Sequence, residues 1–174
     1  MISNYLAPLA LALSLLSRAA AADPPLVDQL AALAPLVGKT FCSVTQGESP
    51  RQHVQFWERA LNGRAVRMLH SVNDGDYGGE ALLYCDDLRQ EIVFFYFTTA
   101  GLHTSGTITP SEAGFDALET PNRSVGGITQ VRSSWRLLPD SRLQARTSYL
   151  KDGAWGAQRE ETFTESPDAK VVFK

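Results

Sequence analysis

Cysteine and histidine are scarce in this chain, with 2 and 3 in 174 residues. Two cysteines cannot frame a disulfide-dense mini-protein. None of His53, His70 and His103 stands in an H-x-x-x-H or H-E-x-x-H arrangement, so no metal site is expected. The chain has no excess of basic residues. Its 16 Lys and Arg against 19 Asp and Glu leave a net charge of −3, and no basic field that would hold nucleic acid. Also missing are the G-x-S-x-G nucleophile turn, the G-x-x-x-x-G-K phosphate loop and the G-x-G-x-x-G dinucleotide loop. There is no internal repeat and no low-complexity linker. What remains is ordinary globular composition, 44% hydrophobic, 20% charged and 9% aromatic, enough for one domain with a real core.

The longest apolar run lies at the start. Leu6–Leu16 is built of Leu and Ala, broken by Pro8 and Ser14, and Ala20-Ala21-Ala22 follows as a small-residue cleavage site. The run is about half the ~20 residues a membrane span needs. Residues 1–22 are therefore expected to be a signal peptide cleaved after Ala22. The mature protein is then periplasmic or secreted, with no membrane span.

Residues 23–38 are expected to form a short amphipathic helix and a turn. Asp23 can cap it, Pro24 and Pro25 suit its first turn, and Leu26, Leu30, Leu33 and Val37 repeat at helical spacing. After Gly38 the pattern changes to short β-prone segments separated by turn signals, among them Asn62-Gly63, Asn73–Gly78 and Asp152-Gly153. About ten strands result over residues 39–165, and residues 166–174 form a tail that is either loose or a last added strand. Several strands alternate with period two. Val66, Met68, His70 and Val72 share one face, as do Val131, Ser133, Trp135 and Leu137, and Leu143, Ala145, Thr147 and Tyr149. Strands joined mostly by tight turns leave no exposed edge if the sheet closes. The expected fold is all-β, an antiparallel up-and-down β-barrel with the short helix at one end.

Leu36-Val37-Gly38-Lys39-Thr40-Phe41 after a short helix, Tyr77-Gly78-Gly79-Glu80, the Gly101 to Gly106 strand and Asp152-Gly153-Ala154-Trp155 together resemble the lipocalin-like (calycin) superfamily. The similarity is to its small bacterial lipocalin-like and nitrobindin-like barrels. It implies an interior that holds a small, largely apolar molecule. Lipocalins carry Gly-x-Trp at the first strand, whereas here Thr40 follows Gly38 at that spacing. Nitrobindin-like proteins bind haem through a histidine late in the barrel. This chain has none after His103, so no cofactor is expected.

The candidate ligand-binding residues are His70, Glu80, Tyr96, Trp135, Tyr149 and Glu58. His70 shares an apolar face and would point inward, where a neutral imidazole both donates and accepts. Tyr96, Trp135 and Tyr149 are placed inward by alternation. Glu80 would be a carboxylate at the barrel mouth. Glu58 is an inward handle only if Val54, Phe56 and Ala60 face in, and the alternative face carries His53, Gln55, Trp57 and Arg59. If Glu58, His70 and Glu80 converge, an acid–base enzyme such as an isomerase or hydrolase becomes the alternative reading. His53 and His103 read as surface residues. Arg132, Arg136, Arg142 and Arg146 read as a solvated outer face balanced by Glu160 and Glu161. Cys42 and Cys85 fall on the first and fourth strands, roughly 14 Å apart around the wall, beyond disulfide reach. The fifth strand, Glu91–Phe97, is apolar on both faces. Its outer side would be covered by the helix or by a partner chain, such as a second copy, and a filled interior would favour the partner.

Overall fold

A computed structural model describes residues 24–46 and 49–174 of the chain. The expected signal peptide and Asp23 lie outside the described residues. Ten antiparallel strands close into a barrel, and an eleventh short strand extends its wall. They are β1 (Thr40–Thr45), β2 (Arg51–Ala60), β3 (Ala65–Val72), β4 (Tyr77–Asp86), β5 (Glu91–Thr98), β6 (His103–Ser111), β7 (Gly114–Pro121), β8 (Ile128–Leu137), β9 (Leu143–Lys151), β10 (Ala154–Trp155) and β11 (Arg159–Glu165). Strands β1 to β9 follow one another as a meander. β11 then pairs with both β9 and β1 and shuts the ring, while the two-residue β10 continues the hairpin with β9. No helix of the described residues is long and apolar enough to cross a membrane.

The turns explain much of the register. Asp152 and Gly153, at φ of 50° and 82°, make the expected two-residue turn between paired Lys151 and Ala154. The β2–β3 connection is longer than expected. Ala60 pairs with Ala65, and Leu61, Asn62 and Gly63 all take positive φ. Gly63 is required there. A Cβ would strike the Pro25 carbonyl, and the Gly63 carbonyl accepts the Val27 amide at 3.0 Å, which ties the N-terminal segment to this turn. Tyr77-Gly78-Gly79 belongs to β4 and not to a turn.

The N-terminal helix covers one end of the barrel, but its geometry differs from the α-helix that the spacing suggests. It is a 3₁₀ helix over Asp28–Leu36, starting after an extended Val27. Its buried residues are Leu30, Leu33 and Leu36, a spacing of three that matches three residues per turn. These leucines pack into the closed end with Phe41, Val66, Leu83, Ile92, Leu143 and Phe163. The helix does not cover the outside of β5, where Phe95 and Phe97 stay exposed.

The tail is neither loose nor a strand. Val172 donates its amide to the Ser71 hydroxyl at 3.1 Å, the Phe173 ring lies over Gly78, and Lys174 reaches Asp76 at 3.1 Å. Cys42 and Cys85 are free. The outer arginines are matched as expected in part. Arg136 meets Asp116, Arg142 meets Asp140, Arg146 meets Glu160, and Arg132 lies 4.4 Å over the Trp155 ring. Glu161 is the exception, because it turns inward.

Candidate functional site

An eight-stranded barrel is about wide enough for its own side chains to fill, and added strands widen it. Ten strands here leave a hollow of about 180 Å³. It is therefore smaller than the usual ~300–1,000 Å³ pocket for a drug-sized ligand. Phe115 and Trp135 stack at 6.0 Å, and Trp57 meets both rings edge-on at 6.2 and 6.3 Å. These three rings separate the cavity from the leucine-packed end and form its floor. Met68, Leu83, Phe94 and Ile108 supply apolar wall, and Glu119 enters from β7.

The β2 hairpin decides which residues face this space. Opposite residues of an antiparallel pair share a face. Trp57 lies opposite Met68 and Gln55 opposite His70, so His53, Gln55 and Trp57 point inward with the β3 face. His53 is buried, against the expectation that it lies on the surface. Glu58 lies opposite Arg67 on the outer wall. There Arg67 donates to Glu58 at 2.9 Å and to Glu80 at 2.8 Å. Neither carboxylate meets His70, so the expected convergence of Glu58, His70 and Glu80 does not form. The reason is parity, since both acids sit one residue out of step with the inner row.

A different polar chain runs along the inner rim, from β11 through β1, β2 and β3 to β5. The Ser43 hydroxyl donates to Glu161 at 2.5 Å. His53 Nδ1 lies 3.2 Å from the same carboxylate, and His53 Nε2 lies 3.0 Å from His70 Nδ1. His70 Nε2 lies 2.6 Å from the Tyr96 hydroxyl, and the Tyr77 hydroxyl lies 3.1 Å from that of Tyr96. An ionised carboxylate only accepts, so with both imidazoles neutral the whole chain runs in one direction. His53 donates Nδ1–H to Glu161, His70 donates Nδ1–H to His53, Tyr96 donates to His70, and Tyr77 donates to Tyr96. In that arrangement all six groups of the chain, Ser43 included, have a partner.

Burial lowers the His70 pKa from 6.5 to about 3, helped by His53 and Arg51 and opposed by Glu161. Burial pushes the Tyr96 phenol well above its usual range, with the Tyr77 hydrogen bond adding to the rise. Burial alone would raise the Glu161 carboxyl, but hydrogen bonds from His53 and Ser43 and the charges of His53 and Arg51 hold it below the usual carboxylate range. Burial raises Glu119, and the nearby Thr104 hydroxyl partly opposes this.

Of the residues singled out from the sequence, His70, Tyr96 and Trp135 line the cavity. Tyr149 continues the inner row opposite Val131 and lies outside the lining, with Arg159 5.6 Å from its ring. His103 is exposed beside Phe97. His53, Gln55, Trp57, Glu119 and Glu161 were not foreseen. The signal for the first three was present: a two-residue turn at Asn62-Gly63 already implies the pairing of Trp57 with Met68. Glu119 and Glu161 carried no such signal, because a lone acid in an alternating strand reads as solvated. Neither a protein-family model nor a curated protein matches the chain, so the site is read from its geometry.

Proposed function

We propose that this protein holds a small, largely apolar molecule inside the barrel, on a lipocalin-like plan, after export from the cytoplasm. The observation that carries this reading is the aromatic-floored cavity of about 180 Å³ with a polar rim. An engineered apolar cavity of about 150 Å³ accepts benzene, so the molecule is about one ring in size. Apolar wall supplies affinity by burial, and the rim at Tyr96 orients the polar end. The Ala20-Ala21-Ala22 site and the apolar run before it support export.

Native mass spectrometry of the protein purified from its own host tests both parts. The expected spectrum shows a chain lacking residues 1–22 that carries a retained small molecule. In parallel, the side chains of Met68 and Trp135 are followed by NMR while benzene-sized probes are added. Saturable shifts confined to the cavity are expected. A silent titration together with an empty native species overturns the binding reading, and an uncleaved mass overturns export.

A further inference from the structure

The binding reading leaves open which chemical class fits the rim, and the hydrogen-bond polarity of the site narrows it. Glu119 is half-buried in the cavity wall, and among the described residues no cation lies within salt-bridge distance of it. No Lys or Arg lines the cavity. A carboxylate withdrawn from water without a countercharge is costly, and a bound cation offsets that cost.

The relay points the same way. With both imidazoles neutral, the chain of hydrogen bonds turns the hydroxyl protons of Tyr77 and Tyr96 towards Glu161. In that state the Tyr96 oxygen accepts from Tyr77, gives its own proton to His70, and keeps one lone pair free. Tyr96 and Glu119 then both present acceptors, as does the unpartnered Gln55 Oε1 of the lining, so the rim suits a ligand that brings donors. A carboxylate would face Glu119 as a like charge. The remaining wall, with Phe94, Trp57 and Trp135, offers aromatic rings that attract a cation. Gly106 lies opposite both Phe94 and Glu119, so no side chain stands between them on β6.

We propose that the cavity takes a small protonated amine, an organic ammonium of about one ring, its N–H groups shared between Glu119 and Tyr96 and its carbon skeleton on the aromatic floor. This inference rests on the cavity being a ligand site, and the test separates the two. Benzylamine, benzyl alcohol and benzoate share a ring and differ in charge. Each is titrated into the intact chain at neutral pH, with binding read by calorimetry and by the Trp135 indole resonance.

Benzylammonium is expected to bind at least tenfold more tightly than benzyl alcohol, with benzoate weakest. In Glu119→Gln the preference for the ammonium is expected to vanish while the alcohol still binds. Equal binding of ammonium and alcohol, or tighter benzoate, overturns the amine inference and leaves the cavity reading intact. Failure of all three overturns both. The comparison within the unmodified protein is decisive even if Glu119→Gln does not fold.

Discussion

Tyr96 and His70 share a 2.6 Å hydrogen bond although their strands are not neighbours. β4 lies between them, and there the residue opposite His70 is Gly79. The Tyr96 ring lies across that glycine, whose absent side chain is the space it occupies. A Cβ at position 79 would meet the Tyr96 ring and the Phe97 carbonyl. Gly79→Ala is therefore expected to cost about 1–3 kcal/mol of stability, the usual penalty for overpacking. It should also detach Tyr96 from His70. Urea unfolding reads the first effect and the His70 imidazole nitrogen shifts read the second. An unchanged pair of nitrogen shifts would show that Tyr96 does not depend on this gap.

Acid should destabilise the fold in a defined window. His70 ordinarily protonates near 6.5, but in the folded barrel only at about 3. Between those values the unfolded chain binds a proton that the native chain refuses. The stabilising contribution is whole above about pH 6.5 and is lost as pH falls towards 3, at about 1.4 kcal/mol per unit. Glu161 works in the same sense. Its carboxyl is held below the usual range, so its contribution is present above the unfolded value and lost as pH falls through the folded one. Denaturant midpoints measured from pH 7.5 to 4 should fall steadily. The decline should be shallower in His70→Gln, and parallel profiles would remove His70 as the cause.

Arg67 bridges Glu58 and Glu80 on the outer wall, with all three side chains more than a third exposed. Exposed ion pairs are worth little, about 0–1 kcal/mol each. Arg67→Ala is expected to lower stability by no more than about 1 kcal/mol. Affinity for a cavity probe should not change. A marked loss of probe binding in Arg67→Ala would place this trio in the site after all.

Leu33 is fully buried where the 3₁₀ helix closes the barrel. Leu33→Ala should cost about 2–5 kcal/mol, from lost burial and the space left behind. Thermal unfolding checks this. A loss below 1 kcal/mol would mean that the helix is a loosely held cover and not part of the core.

Much of the fold can be read directly from residue order. Turn chemistry at Asn62-Gly63 and Asp152-Gly153 punctuates the strands, and two-residue alternation in β3, β8 and β9 marks their inner faces. Alternation is local, so it survives without knowledge of the partner strand. β2 is the counterexample, because both of its faces carry aromatic residues and only pairing with β3 shows that Trp57 faces in. The helix misled for a related reason. Leu26, Leu30, Leu33 and Val37 mix spacings of three and four, and the packing of Leu36 selects the tighter coil.

The amino-acid order alone determined an all-β meander with a covered end and an inward His70. Tertiary structure decided the chemistry of the rim. Glu161, Ser43, His53, His70 and Tyr96 come from five strands spread from residue 43 to residue 161. Ring closure between β11 and β1 is what brings the last acid beside the first histidine. A hydrogen bond needs its partners within about 3 Å, and no local pattern encodes a distance set by a sheet folding back onto itself.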